Sequence, residues 1–468
     1  MVTSAPCIPA KSELASILAS QKAHFAAGRT LPIEEREASL KRLRNVLKGR
    51  EADMEEALRK DLGRSRMESF FAECVLLQDE LKKTLASVRG WSKPKHVLPS
   101  LLNFPSSDRV WREPYGVTLI LSPWNYPFLL TLGPLIAAVA AGNCAILKPS
   151  EEAPHCAALL ADMVGEAFAR EHVSLVQGGV DTARELLALR FDHIFFTGSA
   201  RVGQLVMEAA ARHLTPVCLE LGGKSPCIVT ESADIRLAAR RIVWGKLLNA
   251  GQTCVAPDYV LVHPDREEEL CQELSSAIRE FYGEDARTSP DYARIVNARH
   301  HARLVSYLES ANVWYGGDYD AQSLYFGPTI LRDASFGDRV MQEEIFGPIL
   351  PILSCLSLDA AIEQINAHER PLALYLFSDS REDADRVWTR CHFGGGCVND
   401  TLSHLINPRL PFGGVGQSGM GCYHGRWGFE TFSHPKSQLV RMRPDVPLRY
   451  PPFAKKDWVR NILQRLVG

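Results

Sequence analysis

Of the twelve cysteines in the chain, Cys254 stands apart by its surroundings. It lies in LNAGQTCVAPDY (248–259), a Gly/Gln/Thr/Pro loop directly after a helical pattern, while Cys144 (AGNCAILKP) and Cys227 (KSPCIV) sit in apolar runs. There a thiol behaves as a small buried hydrophobe. A loop thiol whose thiolate is stabilised is placed to attack electrophilic carbon; an inert loop cysteine is the competing reading. Asn125 lies in SPWNYP (122–127), straight after the apolar run VTLIL. Two prolines restrain that turn, and a fixed side-chain amide can donate to a developing oxyanion or merely satisfy the turn's own backbone. Glu220, in CLELGGKSP, is a carboxylate inside an apolar, glycine-flanked stretch. Burial there raises a carboxyl pKa and suits it to general-base work. A structural salt bridge is the alternative.

Two further segments suit a nucleotide. HIFFTGSARVG (193–203) reads as a strand, a Gly198-Ser199 turn and the start of a helix carrying Gly203. Such a turn lets the backbone approach a pyrophosphate at a helix N-terminus, although it departs from GxGxxG and is a weak fingerprint by itself. KPSE, from Lys148 to Glu151, follows another apolar run. Its Lys and Glu could hydrogen-bond a ribose or simply be solvated.

These residues need elements to hold them. From Ser12 to about Arg89 the pattern is helical, punctuated by Gly63 and Gly90, and Lys93 to Asp108 reads as a Pro/Ser-rich connector. The chain then alternates: strands at VTLILS, CAILKP, VSLVQGG and HIFFTG are separated by helices over Pro127–Ala141, Ala153–Arg170 and Asp181–Leu189, with another at Arg201–His213. Strands alternating with helices imply βαβ units and a parallel sheet, whose strand carboxyl ends are where ligands bind. A second α/β run starts near Leu219, with helices at Ile235–Asn249 and Arg266–Tyr282 and strands at YVLVHP, PILPIL, LALYLFS and GGCVND. The apolar stretch 128–147 is long enough to suggest a membrane span, but Gly133-Pro134 and Gly142-Asn143 break it into a buried helix and a buried strand. In the tail, Trp458, Val459, Ile462, Leu463 and Leu466 recur at helical spacing. A helix docked on protein or lying on a membrane surface fits that pattern.

The whole chain has 468 residues, 53 Lys+Arg against 55 Asp+Glu (net −2), 46% hydrophobic and 23% charged residues. This is an ordinary globular balance, and the near-neutral charge argues against nucleic acid as a partner. No CxxC pair occurs, so zinc-ribbon and thioredoxin patterns are absent and no metal site is expected. MVTSAPCIPAKSEL has no basic region followed by an apolar core. That predicts free thiols, a reducing compartment and a cytoplasmic location.

In order, WNYP (124–127), KPSE (148–151), FFTGSARVG (195–203), LELGGKSP (219–226), GQTCVAPDY (251–259), MQEEIFGP (341–348), PLALYLFS (371–378) and LPFGGVGQSGMGCYHG (410–425) make a recognisable set. The chain resembles the aldehyde dehydrogenase superfamily, and within it the short class 3 group. FETFSHPKS (429–437) and RYPP (449–452) look like class 3 endings. The resemblance implies an α/β chain with the aldehyde dehydrogenase fold. Its parts would be a Rossmann-like NAD(P)-binding domain (1–92 and 115–219), a catalytic domain (220–420) and a small β oligomerisation arm (93–114 and 421–452) that forms a homodimer. The amphipathic tail (453–468) would follow. The implied activity is NAD- or NADP-dependent oxidation of medium/long-chain or aromatic aldehydes to acids. Cys254 would be the nucleophile, Asn125 the oxyanion donor and Glu220 the base that activates water. Glu344 would hold the nicotinamide ribose, with Phe346 near the ring, and is a rival for the base. Lys148 and Glu151 would meet the adenine-side ribose, while Gly198, Ser199 and Gly203 would shape the phosphate turn. Cys397, in CHFGGGCVND, departs from the family pattern.

Overall fold

The computed structural model describes residues 11–100, 103–443, 450–451, 458, 460–461 and 464. The N-terminal helical pattern becomes Lys11–Ala26, Ile33–Gly49, Glu51–Leu62, Arg66–Ser69, a π-helical stretch Phe70–Val75, and Leu76–Trp91. Gly63 ends one helix at φ +63° as expected, but Gly90 lies inside the last one. There the buried stripe Leu77, Leu81, Thr84 and Val88 outweighs the propensity cost of one exposed glycine.

The first large sheet has strand order Gly419–Met420, Val217–Glu220, His193–Thr197, Val117–Leu121, Cys144–Lys148, Val173–Leu175. It is parallel except for the edge pair at 419–420. Chain order runs outward from Val117–Leu121 to one side and then returns to the other, so the topological switch lies between Val117–Leu121 and His193–Thr197. The carboxyl ends there form the crevice where such sheets bind ligands. Glu220 is the last residue of its strand, and residues 419–420 complete the same sheet. The expected division at 219/220 therefore cuts a hydrogen-bonded strand, and the one at 420/421 leaves a strand of the first sheet on the far side of it.

The second sheet runs Val313–Tyr315, Thr329–Leu331, Ile349–Ser354, Tyr259–Val262, Pro226–Val229, Ala373–Phe377, Gly395–Val398, parallel but for its first pair. Its central strands are buried on both faces, which is why they read as continuous apolar runs rather than alternations.

The expected connector at 93–108 is instead partly strand. Lys95–Val97 pairs antiparallel with Ser106–Pro114, and Ser433–Arg441 pairs with the latter along nine residues. Lys95–Val97 and Ser433–Arg441 are largely exposed and Ser106–Pro114 is mostly half-buried, so no buried face writes an alternating pattern, and ladder hydrogen bonds hold the strands instead.

The apolar stretch 128–147 is a buried helix, Pro127–Ala141, and a buried strand, Cys144–Lys148. No helix among the described residues is long and apolar enough to cross a membrane. In the tail, Trp458 is exposed, while Val459, Ile462, Leu463 and Leu466 lie outside the described residues. Gly142 closes the Pro127–Ala141 helix at φ +98°, and the buried Arg36 guanidinium donates to Ala140 O (3.3 Å) and Leu31 O (2.9 Å) beside it. A Cβ on Gly142 would stand 2.7 Å from Arg36 Cζ. Gly142→Ala is therefore expected to lower unfolding free energy by about 1–3 kcal/mol through backbone strain alone. An unchanged urea midpoint would contradict this.

Candidate active site

The two sheets present opposite ends to one another. Asn125 follows the carboxyl end of Val117–Leu121 and Glu220 closes Val217–Glu220, whereas Cys254 and Glu344 precede the amino ends of Tyr259–Val262 and Ile349–Ser354. The thiol is brought to the amide by an abrupt change of hand. The helix expected through Asn249 stops at Leu247, and Asn249 (φ 54°, ψ 34°) and Ala250 (φ 51°, ψ 37°) turn left-handed, followed by Gly251 at φ +77°. Gly251 is required there on two counts, since a Cβ would lie 2.2 Å from Gly347 O.

Such a turn is tolerated only if its polar groups are met. Gln252 does much of this. Its Nε2 donates to Asn249 O (3.0 Å) and Arg294 O (2.9 Å), and its Oε1 accepts from the Val296 N–H (2.9 Å). The Gln252 carbonyl accepts from Asn125 Nδ2 (3.0 Å) and Asn249 Nδ2 (3.2 Å). Next to the thiol, the Thr253 and Tyr126 hydroxyls share a hydrogen bond of 2.6 Å, and Tyr375 Oη donates to Val255 O at 2.6 Å. Both neighbours of Cys254 are thus anchored. One amide hydrogen of Asn125 satisfies the loop, and the amide carries a second. Gln252, Tyr126 and Tyr375 were not singled out by sequence reasoning. A tyrosine in the middle of the apolar strand LALYLFS was the available signal, because a buried phenol needs a partner.

The charges are set by burial. The Cys254 residue is half-buried as a whole, yet burial pushes its thiol up to about 12, with Glu344 and Glu220 adding to the effect. Burial also holds Glu220 well above the usual carboxylate range. Its Oε1 lies 3.9 Å from Cys218 Sγ, and its Oε2 has no hydrogen-bond partner among the described residues. No salt bridge holds it among those residues. Glu344 is pushed up to about 8 by burial and Asp258, against the Gly223 N–H and the cations Lys224 and Arg303. Its carboxylate lies over Gly222, where a Cβ would fall 2.0 Å from Oε2. The Glu344 segment is pinned by Arg303, which donates to Glu344 O (3.0 Å) and Ile345 O (2.7 Å), and by Asp258, which accepts the Ile345 N–H (3.1 Å). Phe346 sits at φ +49° with its ring edge-on to Trp124 at 5.4 Å. A thiol, an amide donor and two neutralised carboxyls in one crevice suit acyl chemistry on a carbonyl.

The sequence profile described as the aldehyde dehydrogenase family matches residues 7–438. The chain belongs to the aldehyde dehydrogenase family. It is 46% identical to 4,4'-diaponeurosporen-aldehyde dehydrogenase of Staphylococcus aureus, over 93% of this chain and 95% of that protein. It is 47% identical to aldehyde dehydrogenase family 3 member B1 of Homo sapiens (92% and 93%) and 43% identical to the dimeric NADP-preferring aldehyde dehydrogenase of Mus musculus (95% and 99%). A substrate-bound structure of Staphylococcus aureus AldH superimposes with a TM-score of 0.94 at 44% identity, covering 96% of this chain and 99% of that one. This is accordingly an NAD(P)-dependent aldehyde dehydrogenase of the class 3 type.

The residues at the first sheet's crevice fit a dinucleotide. Ser199 caps the helix Ala200–Ala211, its Oγ accepting from the Val202 N–H at 3.4 Å, and the start of such a helix is suited to phosphate. Glu344 keeps a buried Oε1 without a partner among the described residues, an acceptor suited to a ribose hydroxyl. Lys148 and Glu151 are paired with each other at 2.8 Å, so a ribose would have to share or replace that bond. Gly203 is a packing glycine, for its Cβ would meet Leu221 Cδ2 at 2.8 Å. A Cβ on Gly198 would stand 2.5 Å from the Phe196 ring. Cys397 lies on the second sheet's edge strand, with Sγ 3.6 Å from His404 Nδ1.

A thiol held near 12 is almost wholly protonated at neutral pH. Without cofactor, alkylation of Cys254 by iodoacetamide, followed on its own peptide by mass spectrometry, should rise roughly tenfold per pH unit from 7 to 9. A plateau below pH 8 would show the thiol is not raised.

Proposed function

We propose that this enzyme oxidises medium/long-chain aliphatic or aromatic aldehydes to carboxylic acids through a thioester on Cys254. The observation that carries the reading is the single loop that holds Cys254 while its Gln252 carbonyl binds the Asn125 amide at 3.0 Å. Nucleophile and oxyanion donor are thereby kept together. Cys254 Sγ gives its proton to solvent and attacks the aldehyde carbon, the C=O π pair moving onto oxygen as the C–S bond of a thiohemiacetal forms. The oxygen that gains charge is held by Asn125 Nδ2 and the Cys254 N–H. When bound, NAD(P)+ supplies the acceptor for the hydride. The acyl group then sits on sulfur as a thioester. Glu220 takes a proton from water, the hydroxide adds to the acyl carbon, the C–S bond breaks, and the acid leaves. In its buried position Glu220 retains its own proton. Hydration of the emptied crevice lowers its pKa and frees it to act.

In this reading Glu344 receives the nicotinamide-side ribose with Phe346 against the ring region. Lys148 and Glu151 meet the adenine-side ribose, and Gly198, Ser199 and Gly203 form the phosphate end. The first sheet is the cofactor domain, the second is catalytic, and the arm strands make a homodimer. Trp111, Leu439 and Val440 expose apolar surface on that arm, and one relative is itself named as dimeric. A relative named for 4,4'-diaponeurosporen-aldehyde supports a long apolar substrate. The exposed Trp458 suits contact of the tail with a membrane surface or a partner, and the free thiols among the described residues suit the cytoplasm.

Cys254→Ala should abolish NAD(P)H formation with any aldehyde, and retained turnover would overturn the reading. Glu220→Gln should give a burst of one NAD(P)H per site followed by turnover slowed roughly 10²- to 10⁴-fold, the usual worth of a positioned base. If Glu344→Gln shows that burst and Glu220→Gln does not, the base is Glu344. Steady-state rates with aldehydes from two to sixteen carbons and with benzaldehyde, using NAD and NADP in turn, test the substrate class. A preference for the shortest aldehyde would reject it.

A further inference from the structure

One buried charged cluster lies outside every group assigned above. Arg64 is fully buried and sits between two carboxylates, Glu73 (Nη1 to Oε1, 2.7 Å) and Glu68 (Nε to Oε1, 3.6 Å). Its guanidinium also stacks over the Tyr126 ring, 4.7 Å from the centroid. Removing three charged groups from water is costly, and apolar residues of similar volume often serve stability as well. What distinguishes this cluster is where its remaining hydrogen bonds go. Arg64 Nη2 donates to Asn125 O. Glu73 Oε2 accepts from the N–H groups of Phe128 (2.8 Å) and Leu129 (2.9 Å), the first turn of the helix that follows Asn125. Glu68 Oε1 accepts from the Asn249 N–H (2.7 Å), the first left-handed residue of the Cys254 loop. Asn249 Nδ2 then closes the circuit on Asn125 O at 3.0 Å. Glu73 is carried by the π-helical stretch Phe70–Val75, a local irregularity frequent near functional sites.

We propose that Arg64 is a positioning residue that fixes the Asn125 turn and the Cys254 loop relative to each other. This rests on the roles proposed above for Asn125 and Cys254. One guanidinium grips the Asn125 main chain directly and the Cys254 loop through Glu68, so a single rigid group braces both sides of the gap between oxyanion donor and sulfur. The other links between these loops, Asn125 Nδ2 to Gln252 O, Asn249 Nδ2 to Asn125 O and the Tyr126–Thr253 hydroxyl pair, are all between neutral groups. A shift of about 1 Å between reacting groups costs on the order of 10²-fold in rate. Arg64 touches neither aldehyde nor cofactor in this arrangement. Its loss should therefore weaken the acylation step and spare cofactor binding.

The test is pre-steady-state NAD(P)H formation by the full chain carrying Arg64→Met, Arg64→Lys, Asn125→Ala, and the Arg64→Met/Asn125→Ala pair. Arg64→Met should slow the burst about 10²-fold while the KM for NAD(P)+ stays within about twofold. Arg64→Lys, which keeps a charge and several donors, should recover most of the rate. With Asn125 already Ala, Arg64→Met should add less than about threefold, because positioning of an absent amide has no further value. An equal loss in both backgrounds, or a wild-type burst in Arg64→Met, overturns the proposal. If Arg64→Met does not fold, Glu68→Gln carries the same comparison. It keeps an acceptor for the Asn249 N–H and removes the charge. Its loss should likewise vanish in the Asn125→Ala background, and persistence there overturns the proposal. A wild-type burst in Asn125→Ala alone defeats the oxyanion role and this inference with it, whereas an impaired Asn125→Ala with additive Arg64→Met defeats the inference only.

Discussion

The catalytic end of the molecule depends on a short run of main chain that changes hand and still has its polar groups satisfied. Asn249, Ala250 and Gly251 all adopt positive φ, two of them at the strain cost that a Cβ imposes. The strain persists because surrounding groups hold it in place. Gln252 stitches the turn to Arg294 and Val296, Asn249 contributes both its N–H and its amide, and Gly347 leaves no room for any other residue at 251. Relaxing the turn into a right-handed helix would carry Cys254 away from Asn125 and orphan the Gln252 carbonyl. The same strain that opposes folding locally is thus what exposes the thiol at the crevice.

Burial then determines the chemistry available. In the crevice the thiol and both carboxyls are pushed toward their neutral forms. Three potential negative charges near one another could not all be carried in a dry pocket. Neutrality lets them coexist until substrate and water arrive. Among the described residues no histidine faces the Cys254 thiol, whose charged neighbours are Glu344 and Glu220. In the mechanism proposed above, the thiol proton leaves to solvent and the oxyanion formed on attack is stabilised by Asn125. Glu344 at about 8 and the likewise raised Glu220 differ in surroundings. Glu344 has a backbone N–H and two cations to temper its burial, while Glu220 has only a thiol at 3.9 Å. Such separated environments for paired acids are the usual way of giving them different tasks.

Most of the layered framework was legible in the sequence because parallel sheets buried on both faces write long apolar runs between helical patterns. Motifs at strand ends therefore pointed to the crevice: Asn125, Glu220, Lys148 and the 198–199 turn all fall at carboxyl ends of the first sheet. What escaped follows equally physical lines. The arm strand Lys95–Val97 is exposed at every position, so no periodicity marks it. The helix leading to Cys254 keeps its apolar spacing past the point where it stops, since the left-handed turn is enforced by partners remote in sequence. That Gly203 also leaves room for Leu221 was not legible, because the two are remote in sequence. Arg64, Glu68 and Glu73 read as ordinary charges on an amphipathic helix, because nothing local to 64–73 announces that their partners lie at 125–129 and 249.

The helix Pro127–Ala141 links these observations. It is buried along nearly its whole length, so hydrophobic contact holds it in the core without fixing where it sits along its axis. Its ends do that. At the amino end Glu73 binds two of its free N–H groups beside the Asn125 turn. At the carboxyl end Arg36 meets Ala140 O, and Asn143 bonds Ala138 O (3.2 Å), Phe432 O (2.8 Å) and the Gly116 N–H (3.0 Å). Phe432 immediately precedes the arm strand Ser433–Arg441. One rigid rod therefore runs from the root of the arm to the Asn125 turn, and its axial position is fixed by directional polar contacts at both ends.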